Sequence, residues 1–289
     1  MTPHDAGKSP SENLVMNNRF FNLYSHHFAR VAAASPVCKV ADPVFNAAQT
    51  IELAKQAAQQ GAVLVAFPEL GLSSYTCDDL FHQRALLEAC ERALGTVVEA
   101  SRSLPVAMVV GLPLRVNHAL FNCAAVVAGG RVLGVVPKSY LPNYGEFYES
   151  RQFAPADCAM VDSIRLLGDE VPFGPNLLFE VENLPLLRFH VEICEDVWVP
   201  VPPSSFAAMA GATVLVNLSA SNVVVGKSGY RHQLVSQQSA RCMAAYLYTS
   251  AGRGESSTDM AWDGQALIYE NGTLLAESER FRDDSNVIF

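Results

Sequence analysis

The stretch NAAQTIELAKQAAQQGAVLVAFPE, residues 46–69, sets the architecture. Its first part carries apolar residues at helical spacing, Ala47, Ile51, Ala54 and Ala58, and Asp42-Pro43 just upstream is a helix opening. After Gly61 the pattern changes to an unbroken apolar run, residues 62–67, which reads as a buried strand and ends at Pro68-Glu69. A strand at residues 28–34 precedes the helix, so the chain begins as a βαβ unit.

Outward from this unit, helical periodicity runs over residues 80–103 and a strand over 106–111, and residues 121–137 read as a hairpin about Gly129-Gly130. The second half predicts a strand at 186–193, a short helix at 206–210, a strand at 213–217, a helix at 231–245 and a strand at 246–251. A last hairpin pairs 265–269 with 273–277 about Asn271-Gly272. The closing Asn286-Val287-Ile288-Phe289 looks like the first half of a strand, as at a fragment boundary. Helices interleaved with parallel strands and hairpins predict an α/β sandwich, sheets face to face with helices outside.

Composition narrows the function. A formal net charge of −9 with no basic tract argues against nucleic acid or an anionic membrane surface as partner. Apolar runs are far shorter than the roughly 18 residues a membrane span needs, and residues 1–19 hold no signal-peptide core. Those 19 residues read as a disordered arm, with the domain occupying 20–289. Seven cysteines, an odd number without close pairing, suit free thiols in a reducing cytoplasm. No Cys or His spacing suits zinc, so no metal is expected.

Three apolar runs end in short polar turns carrying chemistry: residues 63–68 before Glu69, residues 132–137 before Lys138, and residues 186–193 before Cys194. A cysteine with its ordinary pKa is a weak nucleophile at neutral pH and needs a neighbouring base or cation. Glu69 can take the thiol proton, pass it to a leaving amine and later activate water. Lys138 can hold an oxyanion. Taken singly, such a cysteine is ordinary packing and such a Lys or Glu a solvated turn residue, but Cys194 is followed by Glu195-Asp196, a polar setting unusual for an inert thiol. A Cys-His pair with His82, His118, His190 or His232 is the competing scheme. His190 is its poorest member, four residues back along the same extended strand.

Phe67-Pro68-Glu69-Leu70, residues 137–144 (PKSYLPNY) and Glu192-Ile193-Cys194-Glu195-Asp196 together resemble the nitrilase, or carbon–nitrogen hydrolase, superfamily. Residues 144–149 (YGEFYE), 200–204 (PVPPS) and 261–265 (AWDGQ) extend the likeness toward the amino-terminal glutaminase domains of bacterial glutamine-dependent NAD synthetases, over about residues 21–280. The resemblance implies a four-layer α-β-β-α sandwich, with Glu69 as general base, Lys138 as oxyanion-stabilising lysine, Cys194 as nucleophile and Glu146 as a second glutamate positioning the lysine and substrate. It implies contacts to L-glutamine from Tyr144, Glu195, Trp198, Ser221 and Lys227. Lys227 stands where an arginine is expected, and a lysine cannot supply a bidentate clamp.

The same resemblance implies a homo-oligomer and a synthetase domain, the partner that consumes the ammonia with ATP and nicotinic acid adenine dinucleotide. Its Ser-Gly-Gly-x-Asp-Ser loop is not in this sequence, so no cofactor is expected in the chain itself. Two other readings stay open: a stand-alone nitrilase-like amidase acting on another small amide, and a non-catalytic assembly subunit.

Overall fold

The first helix forms where its sequence caps it. Asp42 Oδ1 accepts the Phe45 N–H at 3.0 Å, Pro43 occupies the first turn, and α1 (Pro43–Gln59) buries Ala47, Thr50, Leu53, Ala54 and Ala57. In the computed structural model, which describes residues 20–289, this helix and α2 (Arg84–Ser101) lie against a six-stranded sheet. The arm expected over residues 1–19 lies outside the described residues.

That sheet contains β1 (Val31–Ser35), β2 (Leu64–Ala66), β3 (Ala107–Val116), β4 (Ala119–Ala128) and β5 (Arg131–Pro137) in sequence order, with β14 (Asn286–Ile288) added outside β1. Strands β1, β2 and β3 are parallel, β3 to β5 form an antiparallel meander, and β14 pairs antiparallel with β1. The second sheet is built from β8 (Leu178–Val181), β9 (Leu184–Ile193), β10 (Val214–Ser219), β11 (Ala245–Ser250), β12 (Ala266–Glu270) and β13 (Thr273–Glu277), again in sequence order. Its outer face is covered by α3 (Pro203–Met209) and α4 (Lys227–Cys242).

Alternation along each strand assigns the layers. In the first sheet, Ala32, Val65, Met108, Val110 and Ala125 face α1 and α2, whereas Ala33, Leu64, Ala66, Val109 and Ala124 face the second sheet. In the second, Val191, Val216, Leu247 and Ile268 face inward, and Leu215, Tyr246, Tyr248 and Leu267 pack under α3 and α4. The expected α-β-β-α order is therefore present, and every central strand is buried on both sides.

Differences from the sequence reading have local causes. Helix α4 starts at Lys227 rather than residue 231 because Gly226, at φ +83°, makes the turn and the weak formers Ser228 and Gly229 continue it. Residues 80–103 divide into a 3₁₀ turn, Asp78–His82, and α2, separated by an extended Gln83. The hairpin β6 (Ser163–Leu166) and β7 (Asp169–Pro172), like β8, has strands of four residues, too short for alternation to register.

One glycine ties the sheet to the chemistry. A Cβ on Gly111, in β3, would lie 2.4 Å from the Leu70 nitrogen, 2.5 Å from the Pro68 oxygen and 2.9 Å from the Glu69 carbonyl carbon. Only a bare Cα lets the turn carrying Glu69 rest on that strand. Gly111→Ala should destabilise the protein by about 2 kcal/mol or more through overpacking against backbone, measured as a fall in the urea midpoint; an unchanged midpoint would show that the turn is free to shift.

Candidate active site

Four strand ends converge at one edge of the sandwich. Glu69 follows β2 by three residues, Lys138 follows β5 directly, Cys194 opens a 3₁₀ turn (Cys194–Val197) at the end of β9, and Ala220-Ser221 follow β10. Ligands of open α/β sheets collect beyond such carboxyl ends.

Glu69 and Lys138 are completely buried. The Lys138 ammonium donates to Glu69 Oε1 at 2.6 Å and to Glu149 Oε1 and Oε2 at 2.7 and 2.9 Å. Glu69 Oε1 also accepts the Asn122 side-chain N–H at 2.6 Å, and Oε2 accepts the Ala220 backbone N–H at 2.8 Å. The Tyr75 hydroxyl donates to Glu149 Oε1 at 2.8 Å. One cation thus sits between two carboxylates in a water-excluded pocket, where an isolated charge would be very costly.

Each ionisation follows from this packing. Burial alone would lower the pKa of Lys138, but Glu149 and Glu69 outweigh it and hold the group protonated. Burial raises Glu149 to about 7, against the pull of Lys138 and with a further push from Glu69. Burial and then the Glu69 charge push the Cys194 thiol up, and Lys138 offsets them only in part, so the resting sulfur is a neutral thiol. The Ala220 N–H that meets Glu69 Oε2 also faces this sulfur, which places the carboxylate and thiol side by side.

Cys194 has φ +44°, a left-handed conformation that costs a non-glycine residue about 1–2 kcal/mol. Asp196 holds that turn: its Oδ2 accepts the Ile193 N–H at 2.9 Å and its Oδ1 the N–H groups of Ser139 and Tyr140 at 3.1 and 2.8 Å. One buried carboxylate therefore pins the cysteine turn to the segment just after Lys138.

In front of Cys194 lies an open cavity of about 440 Å³, lined by Tyr144, Phe147, Glu195, Trp198, Ser221 and Lys227 among others. The Tyr144 hydroxyl donates to both Glu195 oxygens at 3.0 Å. Lys227 Nζ lies 5.3 Å from the Trp198 ring centre and 5.4 Å from that of Phe147, and donates to Asn222 Oδ1. All five residues expected to contact substrate meet here.

Glu146 is not the glutamate that touches the lysine; it accepts the Asn222 amide instead. Glu149 takes that place because the chain turns through residues 142–149, with the Glu149 N–H on the Pro142 carbonyl, and returns over Lys138 only at this residue. Sequence reasoning also missed Asn122 and Arg231. A lone amide within the apolar run 121–127 was a usable signal for Asn122. Arg231 is fully buried, paired with Asp263 at 2.7 Å, and donates to the Ser221 and Asn222 carbonyls at 2.9 and 2.7 Å, fixing the cavity wall. Its local sequence carries no sign of this. His190, the weakest histidine of the competing scheme, is buried with Nδ1 on the Leu177 carbonyl at 3.0 Å. His232 meets Tyr269 and Glu277 at 2.6 and 3.1 Å rather than the cysteine.

The chain belongs to the carbon–nitrogen hydrolases: residues 29–288 match that family's profile, and the sandwich carries a buried Glu-Lys-Glu cluster beside a cysteine in a left-handed turn. Among curated relatives, the glutamine-dependent NAD(+) synthetase of Mycobacterium tuberculosis is 52% identical over 262 residues, which are 91% of this chain and 38% of that protein. That of Thermotoga maritima is 30% identical over 241 residues, 83% of this chain and again 38% of the relative. The chain therefore spans well under half the length of these relatives. A solved glutamine-dependent NAD(+) synthetase from Cytophaga hutchinsonii superposes with a TM-score of 0.81 at 27% identity, covering 90% of this chain and 42% of that one. An amidase from Nesterenkonia sp., 19% identical, shares the fold with a TM-score of 0.69 over 90% of this chain and 89% of its own.

The reassigned glutamate can be checked by stability. Lys138→Met leaves two carboxyl groups buried without their cation and should cost about 3–5 kcal/mol, whereas Glu146→Gln, half-buried and bonded to Asn222 rather than to the lysine, should cost under about 1 kcal/mol. Urea unfolding of both variants measures the difference, and equal losses would contradict the assignment.

Proposed function

We propose that this chain is a glutaminase: it hydrolyses the side-chain amide of L-glutamine through a Cys194 thioester and supplies ammonia for the amidation of nicotinic acid adenine dinucleotide in NAD synthesis. The observation that carries the substrate is the pair of opposite charges in the cavity before Cys194, Glu195 with Tyr144 on one side and Lys227 between Trp198 and Phe147 on the other. A zwitterionic amino acid offers an ammonium to the first and a carboxylate to the second. Relatives named glutamine-dependent NAD(+) synthetases support the same reading.

In the proposed reaction, Glu69 takes the thiol proton as Cys194 Sγ attacks the amide carbon, because burial keeps the thiol neutral until substrate arrives. The tetrahedral oxyanion is stabilised by Lys138, whose ammonium carries three N–H groups; the loss of one such donor typically costs about 3 kcal/mol of transition-state stabilisation. Collapse expels ammonia, which leaves with the proton held by Glu69. Glu69 then removes a proton from water as its oxygen attacks the thioester, and glutamate departs as the thiol is restored. Ser221, held by Arg231, and Trp198 shape the cavity around the amino-acid end.

The ammonia-consuming step, with ATP and nicotinic acid adenine dinucleotide as reactants, is assigned to a synthetase region joined to or partnered with this domain in a cytoplasmic homo-oligomer. The free, mostly buried cysteines are compatible with a reducing compartment.

Two measurements test the proposal. Purified protein should release glutamate and ammonia from L-glutamine, and Cys194→Ala should lower kcat by at least about 10³-fold; full activity in that variant would overturn the mechanism. Lys227→Ala should raise KM for glutamine by about 10-fold or more, by loss of a charge-assisted contact worth about 1.5–3 kcal/mol, while hydrolysis of a neutral aliphatic amide stays within about 2-fold. A preference for aliphatic amides in the unaltered protein would instead identify a general amidase.

A further inference from the structure

The reaction above uses Glu69, Lys138 and Cys194 and leaves Tyr75 without a part, yet the fold builds a support around it. Its side chain is buried, and its hydroxyl donates to Glu149 Oε1 at 2.8 Å, the same oxygen that meets Lys138 at 2.7 Å. Its ring packs edge-on to Trp262, with centres 5.5 Å apart. Its backbone N–H donates to Glu255 Oε1 at 2.7 Å, and the next amide, Thr76, to Glu255 Oε2 at 3.0 Å. The Trp262 indole N–H is in turn fixed on the Ser256 carbonyl at 2.7 Å, and the Ser256 N–H on Thr76 Oγ1 at 2.8 Å. The clamp depends on Gly254, at φ +104°, where any Cβ would lie 1.8 Å from the Cys38 carbonyl oxygen.

We infer that Tyr75 is a positioning residue that keeps Glu149 charged, so that the Lys138 ammonium is shared between two carboxylates instead of being captured by Glu69. With Glu149 ionised, the ammonium is held from two sides beside Cys194, where the oxyanion forms; with Glu149 protonated, Glu69 alone would hold it. This deepens the proposed glutaminase reading and rests on it for its effect on turnover, but not for the ionisation itself.

The groups around Glu149 fix the sign. Lys138 faces it from the end of β5, Glu69 from the turn after β2, Tyr75 from the loop beyond that turn, and the Cys194 thiol from the end of β9; Asp78, Glu146 and Tyr148 line the small cleft behind it. Burial already raises Glu149 to about 7, and the Tyr75 hydrogen bond acts in the opposite direction by stabilising the charged form. A carboxyl with a raised midpoint is ionised above that pH and loses its charge as pH falls through it. Removing the hydroxyl therefore moves the loss to higher pH, and the acid limb of kcat should follow.

The experiment compares unaltered protein with Tyr75→Phe by NMR of carboxyl-13C-labelled glutamate, the Glu149 signal being assigned by its absence in Glu149→Gln. The expected result is a Glu149 midpoint higher by about one pH unit, the size of one hydrogen bond to a charged group. The kcat limb for glutamine should move equally, with KM within about 2-fold. Trp262→Phe, which loosens the ring packing but retains the hydroxyl, should leave the midpoint in place. An unmoved midpoint in Tyr75→Phe, an equal shift in Trp262→Phe, or a shifted midpoint with an unshifted kcat limb would each overturn the inference. Because the carboxyl titration needs no substrate, an absence of glutaminase activity would count against the proposed function and leave the ionisation result readable.

Discussion

A single buried ammonium, Lys138, organises the reactive end of this molecule. Three ionisable side chains removed from water are tolerable only if each finds fixed partners, and here they do: two carboxylates for the lysine, an amide and a backbone N–H for Glu69, a phenol for Glu149. The partners come from the ends of β2, β5 and β10, from within β4 and from two loops, so the cluster can be assembled only when both sheets are in register. Its energetic benefit is therefore less stability than uniqueness of arrangement, since a shift of any of these elements would strand a charge.

The sandwich supplies that register through plain alternation. Small residues at the sheet–sheet interface, Ala33, Ala66 and Ala124, allow the layers to approach, and the bare Cα of Gly111 lets the Glu69 turn settle onto its neighbour. The second sheet contributes the cysteine turn, and Asp196 links it across to the backbone that follows Lys138. Thiol and cation thus reach the site from different sheets, and the backbone beside each is held by the same carboxylate. Reactive groups carried on separate rigid elements, with their orientation fixed from behind, are what efficient proton transfer and oxyanion stabilisation require.

Much of this was legible in the sequence. The helix and strand of residues 46–67 are amphipathic and apolar at the right periods, and Glu69, Lys138 and Cys194 each follow a strand, so their convergence at one edge could be anticipated. What the sequence hid was mainly distance along an irregular loop. Eight and eleven residues after Lys138 are equally plausible places for a glutamate until the turn at residues 142–149 is seen, and only then does Glu149 displace Glu146. Arg231 was hidden for a related reason: its partners, Asp263 and the Ser221-Asn222 carbonyls, are 32, 10 and 9 residues away, and no local pattern marks a polar side chain that is satisfied by distant groups.

The left-handed backbone at Cys194 has an implication for how this fold can change over time. Glycine would occupy that position without steric penalty, so selection acting on folding alone would favour its arrival there. A strained cysteine at such a turn is maintained against that drift only while its sulfur is useful. Loss of the chemistry should therefore show first as relaxation of this one residue, well before the sheets or their alternation begin to erode.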